Sequence, residues 1–347
     1  MSTTVRLSAL INHRGGPRAA DAVAEVAERA RRAEAEGFDD ISYADLVSGD
    51  PFPPLILAAQ ATNQVGLFTR IIGAFSRSPI YLASAAAWVD RVSGGRFALG
   101  LGASLVRGTR GRLGYEFDRP VVRMRDVITL IRAVWGDDLP GVERHADGSV
   151  RYHGPTIQIE RAAPDLLPER RVPIYLAAAG PRMLRLAGAL ADGIMMELAA
   201  PAAVEWAWQQ IRAGAAEAGR TLDQFEVFVQ GTFLPAGVSV DDQVGFYVRH
   251  CVDPEFAHTW QYGGLGAEAV AVREAALAGD TARAETIVRE RIFPKVTVDC
   301  GDPASFWHWL DGLTSAGATM IALPLELAEL TGITPEEVKR RTTQLVA

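Results

Sequence analysis

Eight short apolar segments alternate with helical segments along this chain of 347 residues, and that order limits the folds open to it. The apolar segments are 5–11, 40–44, 65–72, 97–101, 174–178, 193–196, 225–232 and 319–324. Strands that alternate with helices pair in parallel. Eight of them over this length fit a closed barrel better than two open sheets. We therefore predict a (β/α)8 TIM barrel with insertions.

The helical periodicity predicts one helix after each of these strands. The predicted helices are 19–36, 54–62, 80–92, 119–134, 181–191, 201–219, 303–316 and 335–345. Two stretches interrupt the regular order. Residues 136–171 contain a predicted hairpin made of 150–153 and 156–159, and residues 240–291 are predicted to be mostly helical. We expect one barrel domain over 1–347 that carries both insertions.

Composition excludes several classes of function. A net charge of −7 argues against a general binder of nucleic acid or of anionic membranes. Two cysteines, Cys251 and Cys300, are too few for a disulfide framework. No segment approaches the roughly 18 apolar residues of a membrane span, and the N-terminus has no apolar signal core. We expect a cytoplasmic protein with a small-molecule partner, and neither nucleic acid nor membrane.

The carboxyl ends of barrel strands carry the active site in this architecture. Six such exits are readable in the sequence, and three of them are built mainly from Gly, Ala and Ser. The exits are His13, Asp45, Gly73-Ala74-Phe75, Gly102-Ala103-Ser104, Ala178-Ala179-Gly180 and Glu197. Small side chains at a barrel mouth leave room for a flat ligand. The alternative is a set of tight strand exits that bind nothing.

Other chemistries find little support at these exits. Gly100 and Gly102 suggest a dinucleotide fingerprint, but Leu105 stands where the third glycine belongs. Residues 107–114 form an Arg/Gly-rich loop with no helical pattern, so the strand–turn–helix context is also missing. The six histidines are scattered with no metal-ligand spacing, and we predict no metal site.

An anion site is predicted where Gly180 precedes Pro181. Proline at the first helical position opens a helix whose free N–H groups point at the barrel mouth, and such an end binds phosphate. Arg182 follows directly. A cluster of arginines after the fourth strand adds positive charge, at positions 107, 110, 112, 119, 123 and 125. The alternatives are an ordinary helix start and a solvated arginine face.

Several of these motifs resemble the bacterial luciferase-like superfamily. The motifs are SGGRF at 93–97 with LGLG at 99–102, IYLAAAGPRM at 174–183 and LADG at 190–193. Within the superfamily, RSP at 77–79, RP at 119–120 and RMR at 123–125 resemble the branch that uses the deazaflavin coenzyme F420. The resemblance extends over nearly the whole chain. It implies a (β/α)8 barrel with insertions and a homodimer.

The resemblance also implies roles for individual residues. Asp45 is expected near the ring system of the cofactor. A non-proline cis peptide behind the ring is expected at Gly73-Ala74-Phe75. The cofactor phosphate is expected at Gly180 and Pro181, with arginines such as Arg107 nearby.

The sequence departs from two subgroups of the superfamily. Sugar-phosphate dehydrogenases carry His after the second-strand Asp and Glu after the fourth strand, where Leu46 and Leu105 stand here. This argues against oxidation of a sugar phosphate. FMN luciferases carry a phosphate-gripping arginine where Ala103 stands, which weakens the FMN interpretation.

The leading hypothesis is an F420-dependent oxidoreductase that transfers hydride to a C=C or C=N bond of a small organic or peptide-derived substrate. His13 and Glu197 are the candidate proton donors, because both close strands at the mouth. The second hypothesis is an FMN-dependent monooxygenase that uses oxygen. The third is a non-catalytic relative that binds a ligand without turnover.

Overall fold

Eight parallel strands close into a barrel in the computed structural model of this protein, as predicted. The structure describes residues 4–12, 20–45, 49–104, 106–111, 113–198, 200–234 and 240–346. The barrel strands are β1 (Arg6–Leu10), β2 (Asp40–Tyr43), β3 (Gly66–Thr69), β4 (Phe97–Gly102), β5 (Ile174–Ala177), β6 (Gly193–Glu197), β7 (Glu226–Gln230) and β8 (Met320–Leu323).

The pairing register closes the barrel between its first and last strands. Arg6 of β1 lies opposite Met320 of β8, and Leu67 of β3 lies opposite Phe97 of β4. A two-residue strand, Ile72–Gly73, continues the third strand and pairs with the end of β4. The predicted strand 65–72 is therefore interrupted at residues 70–71.

All eight predicted helices are present, with ends that differ from the prediction by a few residues. They are Ala22–Ala35, Phe52–Ala61, Pro79–Ser93, Pro120–Val134, Pro181–Leu190, Pro201–Glu217, Pro303–Ser315 and Pro335–Val346. Local sequence explains several ends. The Ser78 hydroxyl accepts a hydrogen bond from the Ile80 amide at 3.3 Å, and Gly94 ends the same helix with φ of 67°.

The insertions differ in detail from their predictions. The predicted hairpin is part of a three-stranded antiparallel sheet, Val142–Arg144, Val150–His153 and Gln158–Ala162. The second insertion is helical, as expected, with segments Val240–Val252, Pro254–Phe256, Ala257–Tyr262, Gly266–Leu277, Thr281–Ile287, Val288–Ile292 and Phe293–Val296. A strand pair, Thr232–Leu234 with Thr297–Asp299, connects this insertion to the barrel.

One smaller prediction was wrong, and one short helix was not predicted. Residues 107–111 of the predicted Arg/Gly-rich loop belong to a short helix, Val106–Gly111, and a short helix, Leu327–Thr331, follows β8. In the first case the fully buried Thr109 accepts a hydrogen bond at its carbonyl from the Tyr115 amide at 3.1 Å. Tertiary contact thus stabilises a helix that its glycines alone disfavour.

The barrel interior is filled by apolar side chains below the mouth. Phe68, Tyr175, Met195, Phe228 and Met320 form the main part of this interior cluster. The rings of Phe68 and Phe228 meet edge to face, with centroids 5.5 Å apart. We call this apolar layer the floor of the barrel mouth, because the polar side chains at the carboxyl ends of the strands lie directly above it.

An ionic cluster closes the opposite, amino-terminal end of the barrel. The Arg6 guanidinium contacts the Asp40 carboxylate at 2.5 Å and the Glu226 carboxylate at 2.9 Å. The Tyr175 hydroxyl donates a hydrogen bond to Glu226. Burial raises the pKa of Asp40 to about 6, although Arg6 opposes the shift. The polar groups at this end bind one another, so we assign it a structural role.

Gly100 is required by the close approach of β3 and β4. A Cβ atom at this position would lie 2.0 Å from the Thr69 carbonyl oxygen. The Thr69 hydroxyl also donates to the Gly100 carbonyl at 2.8 Å and accepts from the Gly100 amide at 2.9 Å. The two strands are therefore locked together at backbone distance.

Gly100→Ala should lower the free energy of unfolding by about 3 kcal/mol, because the added methyl group must displace backbone rather than a side chain. Chemical denaturation measures the change. Gly111→Ala is the matched control, since a Cβ there meets nothing within 4 Å. We expect that control to be neutral or slightly stabilising. A loss at Gly100 of under about 0.5 kcal/mol would show that the strands separate easily.

Candidate active site

Two charged side chains stand above the apolar floor at the carboxyl ends of the strands. Side chains alternate along a strand, and Phe68 and Met195 lie in the interior cluster. Arg70 and Glu197 each follow two residues later and therefore also face inward. The Arg70 guanidinium carbon lies 5.7 Å from the centroid of the Phe228 ring. This contact places Arg70 directly above the floor.

Glu197 is enclosed by protein yet open to the mouth. It ends β6 and is exposed to solvent, whereas the four residues before it are buried. Burial raises the pKa of the Glu197 carboxyl above its usual value, and the charge of Arg70 opposes that rise. A carboxyl with a raised pKa at the exposed end of a barrel strand is suited to general acid catalysis.

The Arg70 side chain is surrounded by protein, and one of its nitrogens has no hydrogen-bond partner there. Burial lowers the pKa of Arg70 to about 10, and the charge of Glu197 opposes that shift. The guanidinium is therefore still charged at neutral pH. Its buried Nη1 has no hydrogen-bond partner among the described residues, and no salt bridge within 4 Å joins it to Glu197.

Tyr247 of the helical insertion is a further buried group on which the charge of Glu197 acts. It lies on helix Val240–Val252, is fully buried, and packs against Trp260 and Phe293. Burial raises the pKa of Tyr247 to about 12, the Thr232 hydroxyl opposes the rise and the charge of Glu197 adds to it. The Thr232 side chain is the hydrogen-bonding neighbour of this hydroxyl, and Glu197 acts on it only through its charge.

The small residues at the third and fourth exits are used largely for packing. Gly73 pairs with Gly102, and the Ala74 amide donates to the Gly102 carbonyl at 2.8 Å. A Cβ at Gly102 would lie 2.5 Å from Ile71 Cδ1 and 3.3 Å from Ala177 Cβ. Ile71 thus occupies the space that the glycine leaves, and the expectation of free room at this position was wrong.

The non-proline cis peptide also lies elsewhere than expected. It joins Arg70 to Ile71, three residues before the predicted Gly73-Ala74-Phe75. Phe75 instead stacks near Phe117, with ring centroids 5.0 Å apart. It lines a cavity of about 530 Å³ between this exit, the segment after β4 and the first insertion.

The helix start at the fifth exit keeps the geometry expected of an anion site. Gly180 precedes helix Pro181–Leu190 in an extended conformation, and no side chain caps the helix. A Cβ at Gly180 would meet nothing within 4 Å, so the space in front of the amides is open. Ala179, Gly180 and Pro181 are half-buried, whereas Arg182 is exposed. Ala178 is buried and donates its amide to the Met195 carbonyl at 3.2 Å.

The remaining predicted residues belong to the first, second and fourth exits. Asp45 is half-buried at the end of β2, Ala103 is half-buried, and Ser104 is exposed with φ of 64°. Arg107 lies on the short helix Val106–Gly111, but its side chain is outside the described residues. His13 lies wholly outside them.

Several arginines of the predicted cluster are committed to structural contacts. Arg110 pairs with Glu116 at 2.8 Å, Arg119 pairs with Asp118 at 3.0 Å, and Arg123 donates to the Thr156 carbonyl at 3.0 Å. The alternative of a solvated arginine face, which the sequence left open, fits Arg110 and Arg119, whose side chains are about half exposed, whereas Arg123 is half-buried.

Sequence reasoning missed Arg70 and Tyr247. Arg70 had a signal, because it continues the inward alternation of Gly66 and Phe68 to the strand exit. Tyr247 had none, because it lies in an insertion without a readable motif, and only the fold brings it to Glu197.

Neither a metal cluster nor a membrane helix is found in the described ranges. No group of three or more His, Cys, Asp or Glu side chains there is placed to hold a metal ion. No helix among those residues is both long and apolar enough to cross a bilayer.

Comparison with known proteins gives relatives over most of the barrel. A family model described as luciferase-like monooxygenase matches residues 3–320. A 5,10-methylenetetrahydromethanopterin reductase of Methanolobus tindarius is 31% identical over 214 residues, which cover 61% of this chain and 62% of that protein. A Mycobacterium tuberculosis protein named as a coenzyme F420-dependent oxidoreductase is 30% identical over 247 residues, or 70% of this chain and 69% of that one. The chain thus spans under two thirds of the reductase's length.

Solved structures share the fold at low sequence identity. The F420-dependent tetrahydromethanopterin reductase of Methanopyrus kandleri superimposes with a TM-score of 0.69 at 22% identity, covering 99% of this chain and 97% of that one. The oxygenating component of 3,6-diketocamphane monooxygenase from Pseudomonas putida, solved with FMN, gives a TM-score of 0.60 at 17% identity and covers 96% of this chain and 100% of that one. The barrel with its two insertions is therefore a known architecture.

Proposed function

Because this chain belongs to the luciferase-like monooxygenase family, we propose that it is a coenzyme F420-dependent oxidoreductase that transfers hydride to a C=C or C=N bond of a small organic or peptide-derived substrate. The relative named as F420-dependent supports the choice of cofactor. The observation that carries the proposal is Glu197, an enclosed carboxyl that faces an open barrel mouth.

The residues of the mouth fit a planar cofactor with a phosphate tail. The uncapped helix start at Gly180 and Pro181 would hold the phosphate through the backbone amides next to Pro181, which itself has no N–H, since a helix N-terminus favours negative charge. Asp45 and Ser104, at the exits on either side of β3, would border the ring. F420 supplies a hydride donor and acceptor when it is bound.

Glu197 is the residue that we assign to proton transfer. Its raised pKa keeps a larger fraction of the carboxyl protonated near neutral pH than in an exposed glutamate. The protonated form can donate to the substrate atom that gains negative charge. His13 stays the second candidate for this role.

The cofactor is tested by titrating the purified protein with F420 and with FMN. We expect F420 to bind at least tenfold more tightly, because Ala103 cannot supply the phosphate contact that an arginine makes in FMN luciferases. Fluorescence quenching measures both dissociation constants, and an oxygen electrode measures uptake during turnover.

Tight FMN binding with oxygen-dependent turnover would contradict the proposal and support the monooxygenase, an alternative that the FMN-bound neighbour keeps open. Binding of neither cofactor would support the non-catalytic relative. The F420 result is therefore decisive among the three hypotheses.

The predicted homodimer remains a proposal, and one helix offers a face for it. Tyr81 and Trp88 on helix Pro79–Ser93 are exposed to 74% and 50%, which is unusual for large apolar side chains. Light scattering of the purified protein measures the mass directly. The cytoplasmic location also stays a prediction.

A further inference from the structure

The cavity of about 530 Å³ beside the third strand exit is lined by none of the residues assigned above to the cofactor or to proton transfer. We call it the side cavity. Phe75, Tyr115 and Pro155 form the apolar part of its wall. Its volume lies within the range of about 300–1,000 Å³ that is usual for small-molecule sites. Tyr115 is exposed to 52%, so its ring is available to a ligand. An aromatic wall of this kind favours a planar aromatic ligand.

The charged side chains on the same wall are joined in ion pairs, with one exception. They are Arg77, Glu116, Asp118, Arg119 and Arg123. The pairs are Arg77 with Asp50 at 3.0 Å, Arg119 with Asp118 at 3.0 Å, and Glu116 with Arg110 at 2.8 Å. Only Arg123 has no ion-pair partner among the residues that the structure describes.

The surroundings of Arg123 leave its charge unopposed by direct contact. Asp126, whose charge acts on Arg123, already accepts hydrogen bonds from the Tyr152 hydroxyl at 2.8 Å and from the Thr156 amide at 2.7 Å. Arg123 donates through Nη1 to the Thr156 carbonyl at 3.0 Å, and its Nε has no partner within the described ranges. A half-buried cation on a cavity wall therefore lacks a counter-ion from the protein.

Contacts with neighbouring groups hold Arg123 in position. Its guanidinium carbon lies 5.7 Å from the centroid of the Phe75 ring. The Arg119 guanidinium binds the Pro155 carbonyl at 3.1 Å, next to the Thr156 carbonyl that Arg123 binds. The first insertion thus fixes both side chains at the start of helix Pro120–Val134. A guanidinium that is already ordered loses little entropy when it binds an anion.

We propose that the side cavity binds a planar aromatic carboxylate, whose ring packs on Phe75, Tyr115 and Pro155 and whose carboxylate pairs with Arg123. Arginine matches a carboxylate with two parallel N–H donors, and such charge-assisted pairs are stronger than neutral hydrogen bonds. The site goes beyond the proposed function, because it does not depend on which cofactor the barrel mouth binds.

The charge balance of the wall favours a monoanion over a phosphate. The ion pairs leave one positive charge, that of Arg123. A phosphate monoester carries a charge of about −1.5 to −2 near neutral pH, and it would also meet Glu116 and Asp118 on the same wall. A carboxylate carries one negative charge and balances the arginine.

Two probes of similar shape separate the contribution of the charge from that of the ring. The first is 2-naphthoate, which has both, and the second is 2-naphthamide, which has the ring alone. Calorimetric titration of the full-length protein measures both dissociation constants. We expect 2-naphthoate to bind at least about tenfold more tightly than 2-naphthamide.

Two variants test the assigned position. Arg123→Gln should weaken 2-naphthoate binding about tenfold and leave 2-naphthamide within about twofold. Gln158→Glu adds a like charge at an exposed position of the wall and should weaken 2-naphthoate alone, by about threefold or more. Arg125→Gln is the matched control, since this exposed arginine lies on the same helix but not on the wall. It should leave both probes within about twofold. Thermal unfolding verifies that each variant is folded.

Three results would overturn the inference. The first is equal binding of the two probes, or binding of neither, to the unaltered protein. The second is unchanged 2-naphthoate binding in both Arg123→Gln and Gln158→Glu. The third is a loss of 2-naphthoate binding in Gly180→Asp but not in Arg123→Gln, which would assign the probe to the barrel mouth. A failure of F420 to bind contradicts the proposed function and leaves these comparisons valid.

Discussion

Replacing Glu197 by Gln should lower kcat for F420-dependent reduction by about 10²–10⁴-fold, the usual contribution of a positioned general acid. The amide keeps the shape of the side chain and can still form hydrogen bonds, but it cannot release a proton to the substrate. F420 affinity should change less than threefold, because the carboxyl is assigned to the substrate. Stopped-flow measurement of F420 oxidation gives both quantities.

The pH dependence gives an independent check on the same residue. The protonated carboxyl is the active form, so kcat of the unaltered enzyme should fall as pH rises through the raised pKa of Glu197. The variant should lack that decline. Glu205→Gln makes the same change on an exposed face of helix Pro201–Glu217 and should retain full activity. If Glu197→Gln retains kcat, the acid lies elsewhere, and His13 is the next residue to replace.

Gly180→Asp should weaken F420 binding by about 100-fold while leaving the fold intact. Aspartate is a favoured N-cap residue, and Gly180 already has extended backbone with open space at its Cβ position. The helix should therefore be as stable as before, or more so. The new carboxylate, however, would accept bonds from the amides that bind phosphate and would repel the phosphate charge. Fluorescence titration measures the affinity.

A phosphate-free ligand makes this experiment specific. The deazaflavin riboside without its phosphate tail should bind the Gly180→Asp variant within threefold of the unaltered protein. Gly180→Asn introduces a neutral cap of the same size and should have an intermediate effect on F420. Equal losses for both ligands in the aspartate variant would mean that the phosphate lies elsewhere in the mouth.

The alternation of strands and helices made the barrel predictable. Each strand is a short apolar run that must be buried on both faces, and each helix carries an apolar side that covers it. These are local properties, so the segments 97–101 and 174–178 matched the observed β4 and β5 to within one residue. The break in the third strand was less visible, because it depends on how residues 70–71 pass over the end of β4.

The site could be predicted only in part. The sequence placed the Gly180–Pro181 helix start and Glu197 at the carboxyl ends of their strands, because both follow from the ends of predicted elements, and their roles in binding and catalysis stay predictions. It misjudged Gly102, since a glycine that makes room for a ligand and one that makes room for Ile71 look the same in one dimension. The sequence likewise indicated an anion site at Arg110, Arg119 and Arg123. Only the structure shows that each of these arginines contacts a protein group.

The order of apolar runs and helix starts thus determined, by itself, a closed parallel barrel and the end at which its chemistry takes place. Tertiary structure alone decided which side chains meet there. Glu197 lies more than a hundred positions after Arg70 and fifty positions before Tyr247. Burial and the charge of Glu197 shift the pKa values of the other two side chains. The periodicity of the sequence predicts which side chains face the core. The pKa value of a side chain depends instead on its spatial neighbours, and only the closed barrel and its helical insertion bring those neighbours together.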